Sequence, residues 1–212
     1  MKKKLGSFSA FLAAFLVIFL LHSCQESGSD ASEKGTYRHY IGEAFGGGVI
    51  FHLWKDSAGT EHGLIVDIKD LSKAHVWSNV KKVAVGKTAQ SEWDGMSNSK
   101  AIVSQPGHTQ SAAALCLNSL NGGNKDWYLP ALEEMEVLYQ NLFQVNRTLR
   151  SISGASEVAR WTKSSRGWNS IQYWCSTEYD RYLAWPYILN CGAVYSNYVK
   201  GNKYYVRAIR AF

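Results

Sequence analysis

The chain reads as an α+β fold in which two helices pack on antiparallel strands, and three stretches predict it. Val49–Trp54 and Gly63–Ile68 are short runs rich in β-branched and aromatic residues, separated by the turn-rich Asp56–Gly63, which is the pattern of a hairpin. Ala113, Cys116, Leu117 and Leu120 recur at i, i+3, i+4 and i+7, and a second apolar set, Leu132, Met135, Leu138, Tyr139 and Leu142, follows Pro130; both read as amphipathic helices. The chain closes on Tyr204–Phe212, an alternating run with apolar residues on both faces, which predicts a central strand.

Taken in order, the N-terminus carries a sorting signal. Lys2–Lys4 form a basic segment and Phe8–Leu21 an apolar one, shorter than the ~20 residues of a membrane-spanning helix. Leu21-His22-Ser23-Cys24 resembles a bacterial lipobox, which makes residues 1–23 a lipoprotein signal peptide and Cys24 the lipidated N-terminus, anchoring the chain at the outer membrane or cell surface. A plain cleaved signal with a secreted product is the alternative. Residues 24–35 are Ser, Gly and charged residues with no apolar anchor, so they read as a flexible tether, and residues 36–212 as a single domain.

Loss of residues 1–23 removes three lysines and no acids, lowering the formal charge from +6 to +3. The remaining basic residues are scattered apart from Lys81, Lys82 and Lys87, which argues against nucleic acid as a partner. His39, His52, His62, His75 and His108 show no metal-ligand spacing, so no zinc site is expected. Glu92, Asp94 and Asn98 could ligate calcium but lack EF-hand spacing, and Asn79–Asn98 reads as a surface excursion. No cofactor, metal or catalytic residue is expected. Gly46-Gly47-Gly48 precedes a strand and lacks the Lys-Ser/Thr of a phosphate loop, so it reads as a turn or bulge.

Helix signals come next. Thr109 can cap the first helix and Asn121-Gly122 can stop it, while Pro130 and the acidic Glu133, Glu134 and Glu136 suit the start of the second. Asn146–Ser170 is polar and irregular. Arg207 and Arg210 in the last strand need partners such as Glu178, Asp180 or backbone carbonyls. After lipidation of Cys24, three cysteines remain. Cys116 reads as a core residue, and a Cys175–Cys191 disulfide is open.

Three motifs in this order and spacing carry a family resemblance. They are Gly46-Gly47-Gly48-Val49-Ile50-Phe51, Asp126-Trp127-Tyr128-Leu129-Pro130 with its helix, and Tyr173-Trp174 … Glu178-Tyr179 … Ala184-Trp185 … Tyr204–Phe212. Together they resemble the C-terminal domain of Legionella collagen-like protein and its bacterial relatives, over about Tyr40–Phe212. The resemblance implies a C-type-lectin-like fold with first and last strands paired, and an extracellular binding or adhesion role. Trp127, Trp174 and Trp185 lie in matching motifs and are expected to be scaffold. Two positions depart: Ala131 stands where the family has a capping Ser or Thr, which deprives Glu134 of its capping-box partner, and Cys175 stands where it has Ser. The Glu-Pro-Asn type triplet of calcium-dependent sugar binders is absent.

Eleven of the forty residues from Tyr173 to Phe212 are Tyr, Trp or Phe, about twice the density of the whole chain. Within them, Arg181–Asn197 mixes aliphatic residues with Asn and Gly in no clean period, and resembles the variable region of proteins diversified by retroelements. The variable segment spans about residues 166–199. Either its apolar residues pack a hairpin core, or they form a ligand-binding surface suited to a protein partner. On the second reading the contacts are Arg181, Tyr182, Pro186, Tyr187, Leu189, Cys191, Val194 and Tyr195, with Arg166 and Trp168 as neighbours. Two further functions compete with such a surface-displayed lipoprotein. One is an enzyme related to formylglycine-generating enzymes, which use a cysteine pair near the C-terminus; the other is a structural envelope protein without a discrete site.

Overall fold

The computed structural model describes residues 36–165, 167–194 and 198–212, without the side chains of residues 164, 168, 193 and 194. The expected signal peptide, Cys24 and tether lie outside the described residues. Tyr37–Phe212 forms one unit by its internal contacts.

The predicted hairpin is the centre of the first sheet. Strand β1 (Ala44–Phe45) turns through the glycine triplet into β2 (Gly48–Lys55), which pairs antiparallel with β3 (Glu61–Asp67). Gly46 and Gly47 take φ of 55° and 85°, and a Cβ on Gly48 would overlap the carbonyl of Val66. The triplet is therefore a turn that brings two backbones together. The last strand, β11 (Ile209–Ala211), pairs with β3, so the beginning and end of the domain share one sheet, in the order β1-β2-β3-β11.

A second sheet forms from β4 (Ser72–Val76), β10 (Lys203–Val206), β7 (Gln172–Glu178), β8 (Ala184–Ile188) and β9 (Ala193–Val194), in the spatial order β4-β10-β7-β8-β9. A separate hairpin pairs β5 (Trp161–Ser164) with β6 (Gly167–Ser170). The expected single strand Tyr204–Phe212 is thus two strands. β10 is central in its sheet and β11 ends the other, its outer side bridged by Tyr128, whose N–H donates to Ile209 O at 2.8 Å.

The break falls at Arg207-Ala208, where the chain changes sheets. Arg207 is buried there; it pairs with Asp70 at 2.8 Å and donates to the carbonyls of Asp67, Ser156 and Glu157. Arg210 pairs with Asp126 through two bonds of 2.8 Å. Backbone carbonyls were expected partners; the carboxylates are Asp70 and Asp126, not Glu178 or Asp180.

Four α-helices occur among the described residues, two more than expected: α1 (Gly95–Val103), α2 (Ala112–Leu117), α3 (Leu132–Gln140) and α4 (Leu142–Leu149). Ser111 caps α2 rather than Thr109, its hydroxyl accepting from Ala114 N at 3.0 Å. α1 starts inside the expected surface excursion: Asp94 caps it by accepting from Ser97 N, and Asn98 is fully buried. α4 likewise occupies the start of the stretch read as irregular.

The sheets divide the core in two by the alternation of strand side chains. Val49, Phe51, Leu64, Val66, Tyr173 and Cys175 point to the side of α3 and α4, packing with Met135, Leu138 and Val145. Ile50, Ile65, Trp174 and Val206 point to the other, with Trp77, Ile102, Ala113, Cys116 and Trp127. No helix among the described residues is long and apolar enough to cross a membrane.

Candidate functional site

The loop between β7 and β8 sits on a buried ion pair. β7 ends in Ser176, Thr177 and Glu178, all buried. Glu178 accepts from the backbone N–H of Val85 at 2.8 Å and of Gly86 at 2.7 Å. It also receives Lys200, whose Nζ lies 2.5 Å from Oε1 with neither side chain exposed. Lys200 Nζ donates to Arg181 O at 3.1 Å and lies 4.9 Å from the centre of the Trp77 ring. Charges this deep are tolerated because each is paired and hydrogen-bonded on its remaining sides. The result is a fixed floor beneath residues 179–183.

Above that floor the loop is closed by its own bonds. Asp180 Oδ1 accepts from Tyr182 N at 2.6 Å and Leu183 N at 2.8 Å, and Lys200 N donates to Tyr182 O at 3.0 Å. Tyr179 stays 47% exposed and packs edge-on against half-buried Trp185, with ring centres 5.3 Å apart. Tyr182 is 43% exposed beneath the Arg181 guanidinium at 4.7 Å, and Val199 is 49% exposed, bridged to Leu183. Two tyrosines, an arginine and a valine therefore emerge from a rigid base.

The chain matches no family model and no curated protein.

Of the residues expected to contact ligand, Arg181, Tyr182 and Cys191 are exposed. Pro186, Tyr187 and Leu189 are not, which corrects the expectation that they are surface tips. Tyr187 and Leu189 are built into the core with Met135 and Leu138, and the Tyr187 hydroxyl donates to Glu136 Oε2. The cause is β8: in pairing with β7, Trp174 against Pro186 and Tyr173 against Tyr187, it places this run beneath α3. Arg166, Tyr195 and the side chains of Trp168 and Val194 lie outside the described residues. Trp127 and Trp174 are fully buried, in keeping with a scaffold role, and their indole N–H groups donate to Asn121 O and His75 O.

Sequence reasoning missed Tyr179, Val199 and Lys200. Lys200 precedes the aromatic strand β10 and belongs to no motif, and Glu178 was expected only as a partner for Arg207 or Arg210. Cys175 and Cys191 are unbonded; burial raises the Cys175 thiol well above its ordinary value, whereas Cys191 is exposed. A thiol held protonated in this way is a poor nucleophile. Among the described residues no group of three acidic, histidine or cysteine side chains could hold a metal ion.

Proposed function

We propose that the protein is a lipid-anchored binding protein of C-type-lectin-like fold, displayed at the outer membrane or cell surface, that recognises a protein ligand through its C-terminal segment. The observation that carries the reading is the exposed Tyr179, Arg181, Tyr182 and Val199 held over the buried Lys200–Glu178 pair. Tyr and Arg dominate binding energetics at protein interfaces, and a preformed loop avoids much of the ordering cost of association. Cys191 extends the same segment. The anchor is supported by the basic and apolar N-terminal segments and by Cys24. The lectin-like fold is supported by the motif resemblance together with helices packed on two sheets, of which the antiparallel first joins both ends of the domain.

The experiment replaces Tyr179 and Tyr182 together with Ser and compares thermal unfolding with capture of surface proteins from neighbouring cells. The expected outcome is an unfolding midpoint within a few degrees of the parent and loss of every captured species that the parent retains. Undiminished capture by the variant removes the reading. The anchor is checked separately by the mass of the mature N-terminus, which must be an acylated Cys24.

A further inference from the structure

A cleft of about 440 Å³ is built from elements other than the loop at 179–183. Trp54 of β2 and Ala211 of β11 form one wall, the entry of α1 brings Trp93, Asp94 and Met96, and Tyr128 and Glu134 close the inner end with Asp126. Trp93 is 45% exposed and meets His52 at right angles, ring centres 5.9 Å apart; Trp54 is itself stacked by His52 at 5.4 Å and by His62 at 5.5 Å, which leaves Trp93 as the open ring. Among the described residues no basic side chain lines this cleft.

The three carboxylates differ in what they have left to offer. Glu134 is taken up by the chain: it accepts from Tyr128 Oη at 2.7 Å, from Ala131 N at 2.7 Å and from Gly95 N–H. Asp126 is shared with Arg210 through both of its oxygens. Asp94 gives Oδ1 to Ser97 N at 2.9 Å, and its Oδ2 accepts no hydrogen bond from the described residues. Two helix N-termini open here, and such ends ordinarily favour anions. In this protein Asp94 and Glu134 already occupy them, so an incoming anion would meet carboxylates. The Tyr128 proton is committed to Glu134, so apart from indole N–H groups the described walls offer aromatic and apolar surface, the latter from Leu64, Met96 and Ala211, and one spare carboxylate oxygen.

We propose that this cleft binds a small organic cation, an ammonium group on an apolar body, with Trp93 against its methyl or methylene groups and Asp94 as the counter-ion. Indole is the strongest aromatic partner for a cation, and the attraction grows in a site shielded from water. A carboxylate at the rim supplies long-range attraction without the desolvation cost of a fully buried charge. The binding is independent of the loop at 179–183, since none of that loop's residues line the cleft.

The test titrates the purified protein at pH 7 with choline, with its neutral isostere 3,3-dimethylbutan-1-ol, and with methyl glucoside, reading heat and tryptophan fluorescence. Choline is expected to bind at least about tenfold more tightly than the isostere, with a change in tryptophan emission. Trp93→Ala and Asp94→Asn should each weaken choline about tenfold, while the unfolding midpoint of Asp94→Asn stays near the parent because Asn also caps helices. Equal binding of choline and the isostere, binding of the glucoside alone, unchanged choline affinity in both variants, or no binding of any probe would each overturn the proposal.

Discussion

Lys200 Nζ lies 2.5 Å from Glu178 Oε1, and neither side chain is exposed to solvent. This pair joins four pieces of chain: the end of β7, the Val85-Gly86 backbone, the loop at 179–183 and the turn at residue 200. A buried pair of this kind is not a large net source of stability, because desolvation offsets most of the attraction. Its consequence is geometric, since breaking it leaves a charge stranded and releases the loop that presents Tyr182.

Removal of one partner is therefore expected to be severe. Lys200→Met should cost about 3–5 kcal/mol by leaving Glu178 buried without its cation. Urea unfolding measures this directly, and a cost below about 1 kcal/mol would show that the pair behaves as a surface contact.

Leu189 and Tyr182 belong to one irregular segment and are expected to respond oppositely. Leu189→Ala should destabilise by about 2–5 kcal/mol, the range for a fully buried leucine. Tyr182→Ser, at an exposed position, should stay within about 0.5 kcal/mol of the parent. Thermal unfolding of both proteins checks the pair of outcomes; equal effects would mean that β8 is not packed beneath α3.

Glu134 makes stability depend on pH. Burial pushes its carboxyl up to about 7 from an ordinary 4.5, against the opposing pull of the Ala131 N–H, the Tyr128 hydroxyl and the Gly95 N–H. The folded protein therefore holds a proton that the unfolded chain releases between those two values. Its contribution is fully present below pH 4.5 and is lost as pH rises to about 7. Glu134→Gln keeps an acceptor for the backbone N–H groups and an amide for Tyr128, so it should fold yet lack this slope. Unfolding free energies of parent and variant are expected to lie closest near pH 4.5, where Glu134 is protonated and the neutral amide mimics it, and to separate as pH rises to about 7, the parent losing stability relative to the variant; parallel profiles would refute it.

Much of the scaffold was legible because its signals are local. The hairpin of Val49–Trp54 and Gly63–Ile68, the apolar periods of α2 and α3 and the glycine turn each follow from neighbouring residues. α1 was not legible, and the reason is specific. Its buried face is Gly95, Asn98, Ser99 and Ile102, which has helical spacing but little apolar character. Asn98 is satisfied by Ser91 and Ser176, and Ser99 by Leu129, all distant or outside the helix. A period written in polar residues leaves no mark on a hydropathy pattern. Glu134 illustrates a related point: without a capping Ser or Thr at 131 it still binds Ala131 N and also gains Tyr128, which sequence spacing does not reveal.

The sequence by itself determined the α+β class and the central hairpin, because alternation, helical period and turn residues act over a few positions; the scaffold role of Trp127 and Trp174 was implied only by the motif resemblance. It also left the C-terminal segment balanced between core and surface. Tertiary structure decided that question residue by residue. Pairing of β8 with β7 buried Pro186, Tyr187 and Leu189, while the Lys200–Glu178 pair lifted Tyr179, Arg181 and Tyr182 into solvent. The physical reason is that burial depends on which strand becomes a neighbour, and an ion pair between residues 178 and 200 has no signature until the chain is folded.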